Sequence, residues 1–195
     1  MDIKEIHSYT VDGLHFQTGD IICTSDGDDQ FVSGQFWRLI GKLIPGIVDH
    51  IVVYTGPKGM CVEANGKGVV KFEITANSWD SNKIKNLRGG LIDNLHGIAY
   101  PLQNREYSEN KINEIRLGVA NYCLKQVSLN KPYNLNFFNS DTEKAFYCSQ
   151  LAFKAYLNFD IDLNTGIGIP NIPGTDKIIF PQEIWEGFYH KIKSE

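Results

Sequence analysis

DHIVVYTGPKGMCVEANGKGVVKFEI, residues 49–74, sets three apolar runs between two turn signals. HIVVYT (50–55), MCVEA (60–64) and GVVKFEI (68–74) are rich in β-branched and aromatic residues, as strands are. Gly56-Pro57-Lys58-Gly59 and Asn65-Gly66 separate them and favour tight turns. The stretch predicts an antiparallel meander. With 56–59 as the turn, Tyr54 faces Cys61, Val52 faces Glu63 and His50 faces Asn65, with all six side chains on one face of the ribbon. Glu63 then lies diagonally from His50, about 7–8 Å away between backbones, within reach of a long side chain. Its neighbours in VEAN are apolar, which predicts a buried or half-buried carboxylate. Such a group needs a partner, and His50 is the nearest candidate.

Outward from this meander, LHFQTGDIICT (14–24) reads as a strand entered through Gly19-Asp20, and HGIAYPL (96–102) as another. FVSGQFWRLIGKLI (31–44) has apolar residues at helical spacing and ends at Pro45-Gly46. Ser108 to Gln126 predicts a helix with Ser108 as its N-cap and apolar residues at 112, 115, 119 and 122 or 123. A polar loop, 127–142, carries Pro132 and Tyr133 and leads to a last long helix. The Gly-, Pro- and Asn-rich tail, 160–181, ends in IFPQEIWEGF (179–188), read as one more helical turn packed down by Trp185 and Phe188. Strands cluster apart from helices, which predicts an α+β fold in a single domain spanning 1–195.

Composition sets the limits. The chain has 195 residues, 42% hydrophobic and 22% charged, enough to build a core and too apolar for disorder. A net charge of −4 argues against a nucleic-acid partner, which would need a basic stripe. The most basic stretch, KIKNLR (83–88), is short and reads as a solvated loop. No signal peptide and no transmembrane run is visible, so a cytoplasmic location with reduced thiols is expected. Cys23, Cys61, Cys123 and Cys148 have no metal-binding spacing. His50, Cys61, Glu63 and Cys148 are suitable metal ligands by type, but the hairpin pairing carries Cys61 away from His50. No metal and no cofactor is expected.

AFYCSQLAFKAY (145–156) poses the functional question. Positions 148, 151, 152, 155, 156 and 159 share one apolar face, with Cys148 first. A cysteine there is either a small core residue or a nucleophile at a helix N-terminus, where the helix field favours a thiolate and free N–H groups can bind an oxyanion. With Asp141 and Thr142 as the nearest cap candidates, the helix is expected to begin between 142 and 147. A start at 142 would bury Cys148 more than a turn inside and lose most of this benefit.

Five stretches in order, GDIICT (19–24), DHIVVYTG (49–56), VEANGKGVV (62–70), KPYNLNF (131–137) and FYCSQLAFKAY (146–156), resemble one group of papain-like hydrolases. This is the NlpC-type superfamily in its circularly permuted, YiiX/YebB-like form, where the histidine strand precedes the cysteine helix. The resemblance implies an antiparallel β-sheet or barrel packed against helices. It also implies a cysteine peptidase or amidase with Cys148 as nucleophile, His50 as base and Glu63 as the residue that orients it. Tyr133 matches a tyrosine lining the site. Asp49 stands where the group has serine, and Gln150 where it commonly has glutamate. Tyr133, Asp49 and Asn65 are the candidate substrate contacts, and Asn65 is the alternative to Glu63 as the orienting group. Relatives act on cell-wall peptides, and others look suited to acyl chains. The expected substrate is therefore a small peptide, an amino-acid amide or an acyl or lipid group, with hydrolysis or acyl transfer as the reaction. Phe31, Phe36, Trp37, Ile44 and Ile47 would either floor an acyl pocket or form ordinary core. The alternative function is a non-catalytic ligand- or lipid-binding module on the same fold.

Overall fold

The computed structural model describes residues 2–26, 46–171 and 173–194. The fold is mixed α and β. Its strands are β1 (Ser8–Val11), β2 (Leu14–Gln17), β3 (Ile21–Asp26), β4 (His50–Gly56), β5 (Met60–Asn65), β6 (Gly68–Glu73), β7 (Asp93–Ala99) and β8 (His190–Ile192). Its helices are α1 (Ser81–Ile84), α2 (Glu109–Ser128), α3 (Cys148–Leu157) and α4 (Pro181–Gly187), with a 3-10 turn at Pro57–Gly59. Six strands form one sheet in the order β6-β5-β4-β3-β7-β8, antiparallel throughout, and β1-β2 form a separate hairpin. Among the described residues the sheet stays open, with β6 and β8 at its edges, and does not close into the barrel alternative.

The meander folds in the expected register. Val53 pairs with Val62 and Tyr54 with Cys61, and a bulge then sets Gly56 against Met60. Both faces of the sheet are covered, which is why HIVVYT is a continuous apolar run rather than an alternating one. Ile51, Val53, Val62 and Ala64 face one core with Ile115, Val119 and Cys123 of α2 and Leu151, Ala152, Ala155 and Tyr156 of α3. Val52, Tyr54 and Cys61 face a second core with Val11, Leu14 and Phe16 of the hairpin, Trp79 and Ile84. Alternation along each strand sends successive side chains to opposite cores.

The single strand expected over 14–24 is broken into β2 and β3 at Thr18-Gly19-Asp20. Gly19 has φ +91°, and a Cβ there would stand 3.3 Å from the Arg116 backbone. Arg116 donates to Asp20 Oδ1 at 2.7 Å and to the Thr18 carbonyl at 2.8 Å, while the Tyr156 hydroxyl donates to the Gly19 carbonyl at 2.7 Å. The break thus anchors the central strand to α2 and α3. Strand β7 begins at Asp93, earlier than expected, and Ser108 caps α2 as predicted, accepting from the Lys111 N–H. The tail contributes β8 as well as the expected helix, and Trp185 is buried in the first core. The helix expected over 31–44, and with it Phe31, Phe36, Trp37 and Ile44, lies outside the described residues; Ile47 is 65% exposed and so is not core. Among the described residues no helix is long and apolar enough to cross a membrane.

Candidate active site

Helix α3 begins at Cys148 itself, with Tyr147 as an extended N-cap at φ −95° and ψ 169°. The cysteine therefore stands at the first helical position, not a turn inside. Gln150 explains the boundary. Its Oε1 accepts from the Tyr147 N–H at 3.2 Å and from Asn134 Nδ2 at 2.9 Å. Its Nε2 donates to the carbonyls of Ser140 at 3.2 Å and Thr142 at 2.9 Å. A glutamate could not make the last two bonds. The amide pins residues 140–142 outside the helix and fixes where it starts.

The 133–147 segment is also held in place. Asn134 N–H donates to the Phe146 carbonyl at 3.0 Å and Phe146 N–H to the Pro132 carbonyl at 3.1 Å, forming a parallel bridge between Tyr133 and Phe146. This brings Tyr133 beside the start of α3. Burial pushes the Tyr133 phenol up, and the nearby Cys148 sulfur pushes it further.

His50 opens β4, close enough to Cys148 for the sulfur to act on its ring. Strand alternation places His50 and Glu63 on the side of the second core, whereas Cys148 belongs to the first. They meet at the first residue of β4. His50 Nε2 lies 2.8 Å from Glu63 Oε2, which leaves Nδ1 as the ring nitrogen for the thiol. The His50 side chain is 12% exposed and Glu63 is sealed. Burial disfavours a charged ring, but the Cys148 sulfur and the Glu63 carboxylate outweigh it and push His50 up to about 10. For Glu63, burial again opposes charge, and Arg88 and His50 overcome it and hold the carboxyl down at about 2.

The chain matches no family model, no curated protein and no solved structure.

Asn65 stands behind the carboxylate rather than in a cleft. It is 5% exposed, and its amide donates to Glu63 Oε1 at 2.8 Å and to the Arg88 carbonyl at 2.9 Å, while its Oδ1 accepts from the Lys67 N–H. Asn65 thus supports Glu63, and Glu63 is the group on the histidine. Asp49 is half-buried beside His50, its N–H donating to the Thr24 carbonyl at 3.2 Å. Among the described residues no group of three or more histidine, cysteine, aspartate or glutamate side chains is arranged to hold a metal ion.

The largest departure from expectation is Arg88. KIKNLR reads as a solvated loop, yet Arg88 is fully buried and bonded to both Glu63 and Asp93. The signal for it lay elsewhere in the chain: a buried carboxylate needs a cation, and Glu63 takes Arg88 as well as His50. The C-terminal segment is a second unexpected contributor. Gln182 Oε1 accepts from the N–H groups of Ile47 and Val48, both at 2.9 Å, just before His50. Ile179 accepts from Ser149 Oγ at 2.7 Å and donates to the Tyr147 hydroxyl at 3.1 Å, on either side of Cys148. The tail thus straps both halves of the site.

Proposed function

We propose that the protein is a cysteine-dependent hydrolase acting on a peptide, amide or acyl carbonyl, in the manner of the permuted NlpC-type group its motifs resemble. The observation that carries this reading is the arrangement around His50: Glu63 lies 2.8 Å behind the ring, the Cys148 sulfur is near enough to act on it, and Cys148 stands first in its helix. Each group has the chemistry its place requires. Cys148 attacks the carbonyl carbon as a thiolate, its proton having passed to His50. The oxyanion that forms meets the Cys148 N–H at the positive end of α3. His50 then protonates the leaving group, which departs and leaves a thioester. Water attacks the thioester, His50 takes its proton, and the acid is released with the thiol restored. Glu63 keeps the ring in one orientation and stabilises the imidazolium. Tyr133 lines the approach, and Asp49 takes part in substrate contact at the mouth.

Labelling with acyl and peptidyl electrophiles tests this reading. Cys148 should react selectively near neutral pH. Cys148→Ala should abolish labelling, and His50→Ala should slow it by about 10²-fold or more. Full turnover of a responsive substrate by Cys148→Ala would overturn the reading. So would a Cys148 no more reactive than the other three thiols, which would favour the non-catalytic binding module.

A further inference from the structure

A carboxylate can rotate about its last bond, so the group behind His50 is only as well aimed as whatever holds it. Arg88 holds both Glu63 oxygens: Nε lies 3.0 Å from Oε1 and 3.2 Å from Oε2, and Nη2 lies 2.6 Å from Oε2. With Asn65 on Oε1 and His50 on Oε2, every direction around the carboxylate is assigned. Arg88 is itself gripped by Asp93, through Nη1–Oδ1 at 2.7 Å and Nη2–Oδ2 at 2.9 Å. Asp93 also accepts from Trp79 Nε1 at 3.1 Å and Ser81 Oγ at 3.0 Å. The Phe72 and Trp79 rings flank the guanidinium at 4.8 and 5.0 Å.

Two features separate this arrangement from a mere brace. Buried ion pairs add little net stability over well-packed apolar residues, so stability alone does not call for one here. The charges also do not cancel among themselves. One guanidinium sits between two carboxylates, leaving one unit of negative charge sealed from water on the His50 side of the site. Among the described residues, the charged or titratable groups acting on the ring are Glu63 from β5, Asp93 from β7 and Cys148 from α3, with Asp49 adjacent in the chain.

We propose that Arg88 and Asp93 are positioning residues of the site: Arg88 fixes the Glu63 carboxylate against His50, and Asp93 fixes Arg88 and supplies the surplus negative charge that the imidazolium neutralises. The inference rests on the proposed function for its catalytic meaning, but its test separates the two. The His50 ring is titrated by NMR in Cys148→Ala, which removes the sulfur's charge. It should still titrate above its ordinary value of 6.5, and a midpoint at or below that value overturns the proposal. Adding Asp93→Asn should lower the midpoint by about one unit or more, since the surplus charge is gone. Arg88→Lys in the otherwise native chain keeps the charge and loses the fork. Alkylation of Cys148 should then slow by about 10-fold, as expected when a catalytic group is misaimed. A purely structural role predicts a lower Tm with an unchanged midpoint and an unchanged rate per folded molecule, and that pair of results overturns the proposal. Where Arg88→Lys fails to fold, the two titrations decide. A wild-type Cys148 without selective reactivity sinks the hydrolase reading and leaves the titrations to judge the positioning layer.

Discussion

Cys148 is 8% exposed, whereas Cys23, Cys61 and Cys123 are fully sealed and burial pushes all three thiols up. Mass spectrometry after brief iodoacetamide treatment of the native protein should therefore find one modified residue, with the other three appearing only on unfolding. The histidine sets the pH behaviour. Its ring is raised to about 10 by the Cys148 sulfur and the Glu63 carboxylate against the effect of burial, so the protonated form that the proposed mechanism uses is favoured at neutral pH. On the proposed mechanism the rate constant for hydrolysis should fall on the alkaline side as His50 loses its proton, while thiol alkylation, which needs no acid, should not. Glu63→Gln removes the carboxylate charge from the ring. The alkaline limb should then move to lower pH and kcat should fall by about 10²-fold or more. Stability follows the same groups with opposite signs. Glu63, held down at about 2, contributes stability that is full above its ordinary 4.5 and lost as pH falls towards 2. His50, raised from 6.5, contributes stability that is full below that value and lost as pH rises through about 10. Urea midpoints across this range should show a plateau that flattens into the slopes on both sides in Glu63→Gln.

At the scale of elements, the tail and the 129–133 loop hold the site together. Gln182→Ala leaves the buried Val48 N–H without its acceptor, a loss of about 1–3 kcal/mol, and frees the backbone leading into His50. Thermal unfolding should register the cost, and Cys148 alkylation should slow beyond what the lost stability accounts for. Gly68 shows how tightly the loop is held: φ is +100°, and a Cβ would lie 2.5 Å from the Lys131 carbonyl, which accepts from the Val69 N–H at 2.8 Å. Gly68→Ala should push residues 131–133 away from β6, displace Tyr133 and destabilise the fold by about 1–3 kcal/mol, measurable by denaturant unfolding. Some elements were legible and others were not, for physical reasons. The β4–β5 register was readable because Gly56-Pro57-Lys58-Gly59 fixes the turn and the turn fixes the pairing. The start of α3 was not, because its cap is an aromatic residue and the boundary is set by Gln150 reaching back to residues 140 and 142. Strand β8 was hidden because HKI carries no apolar alternation and depends on β7 for its pairing.

For the whole molecule, the sheet divides two cores, and the candidate site lies where groups from both meet. The α+β class could be read from the clustering of strands, since local periodicity is a property of each segment. Arg88 could not be read that way. Its burial depends on Asp93, five residues on, and on Glu63, 25 residues back on another strand and beyond any short window around residue 88. Arg88→Met leaves two buried carboxylates without their cation and should cost about 3–5 kcal/mol, enough to threaten folding at physiological temperature. Double substitution of Arg88 and Asp93 by apolar residues should recover part of that loss in equilibrium unfolding, because one of the orphaned charges is gone.

The strap from 179 to 186 has a consequence for synthesis. A nascent chain that has emerged only as far as α3 carries both the imidazole and the thiol, yet lacks Ile179 beside Cys148 and Gln182 behind His50. The backbone beside Cys148 and ahead of His50 is therefore tied down only after residues 179–182 have been made and folded back, however early the imidazole and thiol emerge.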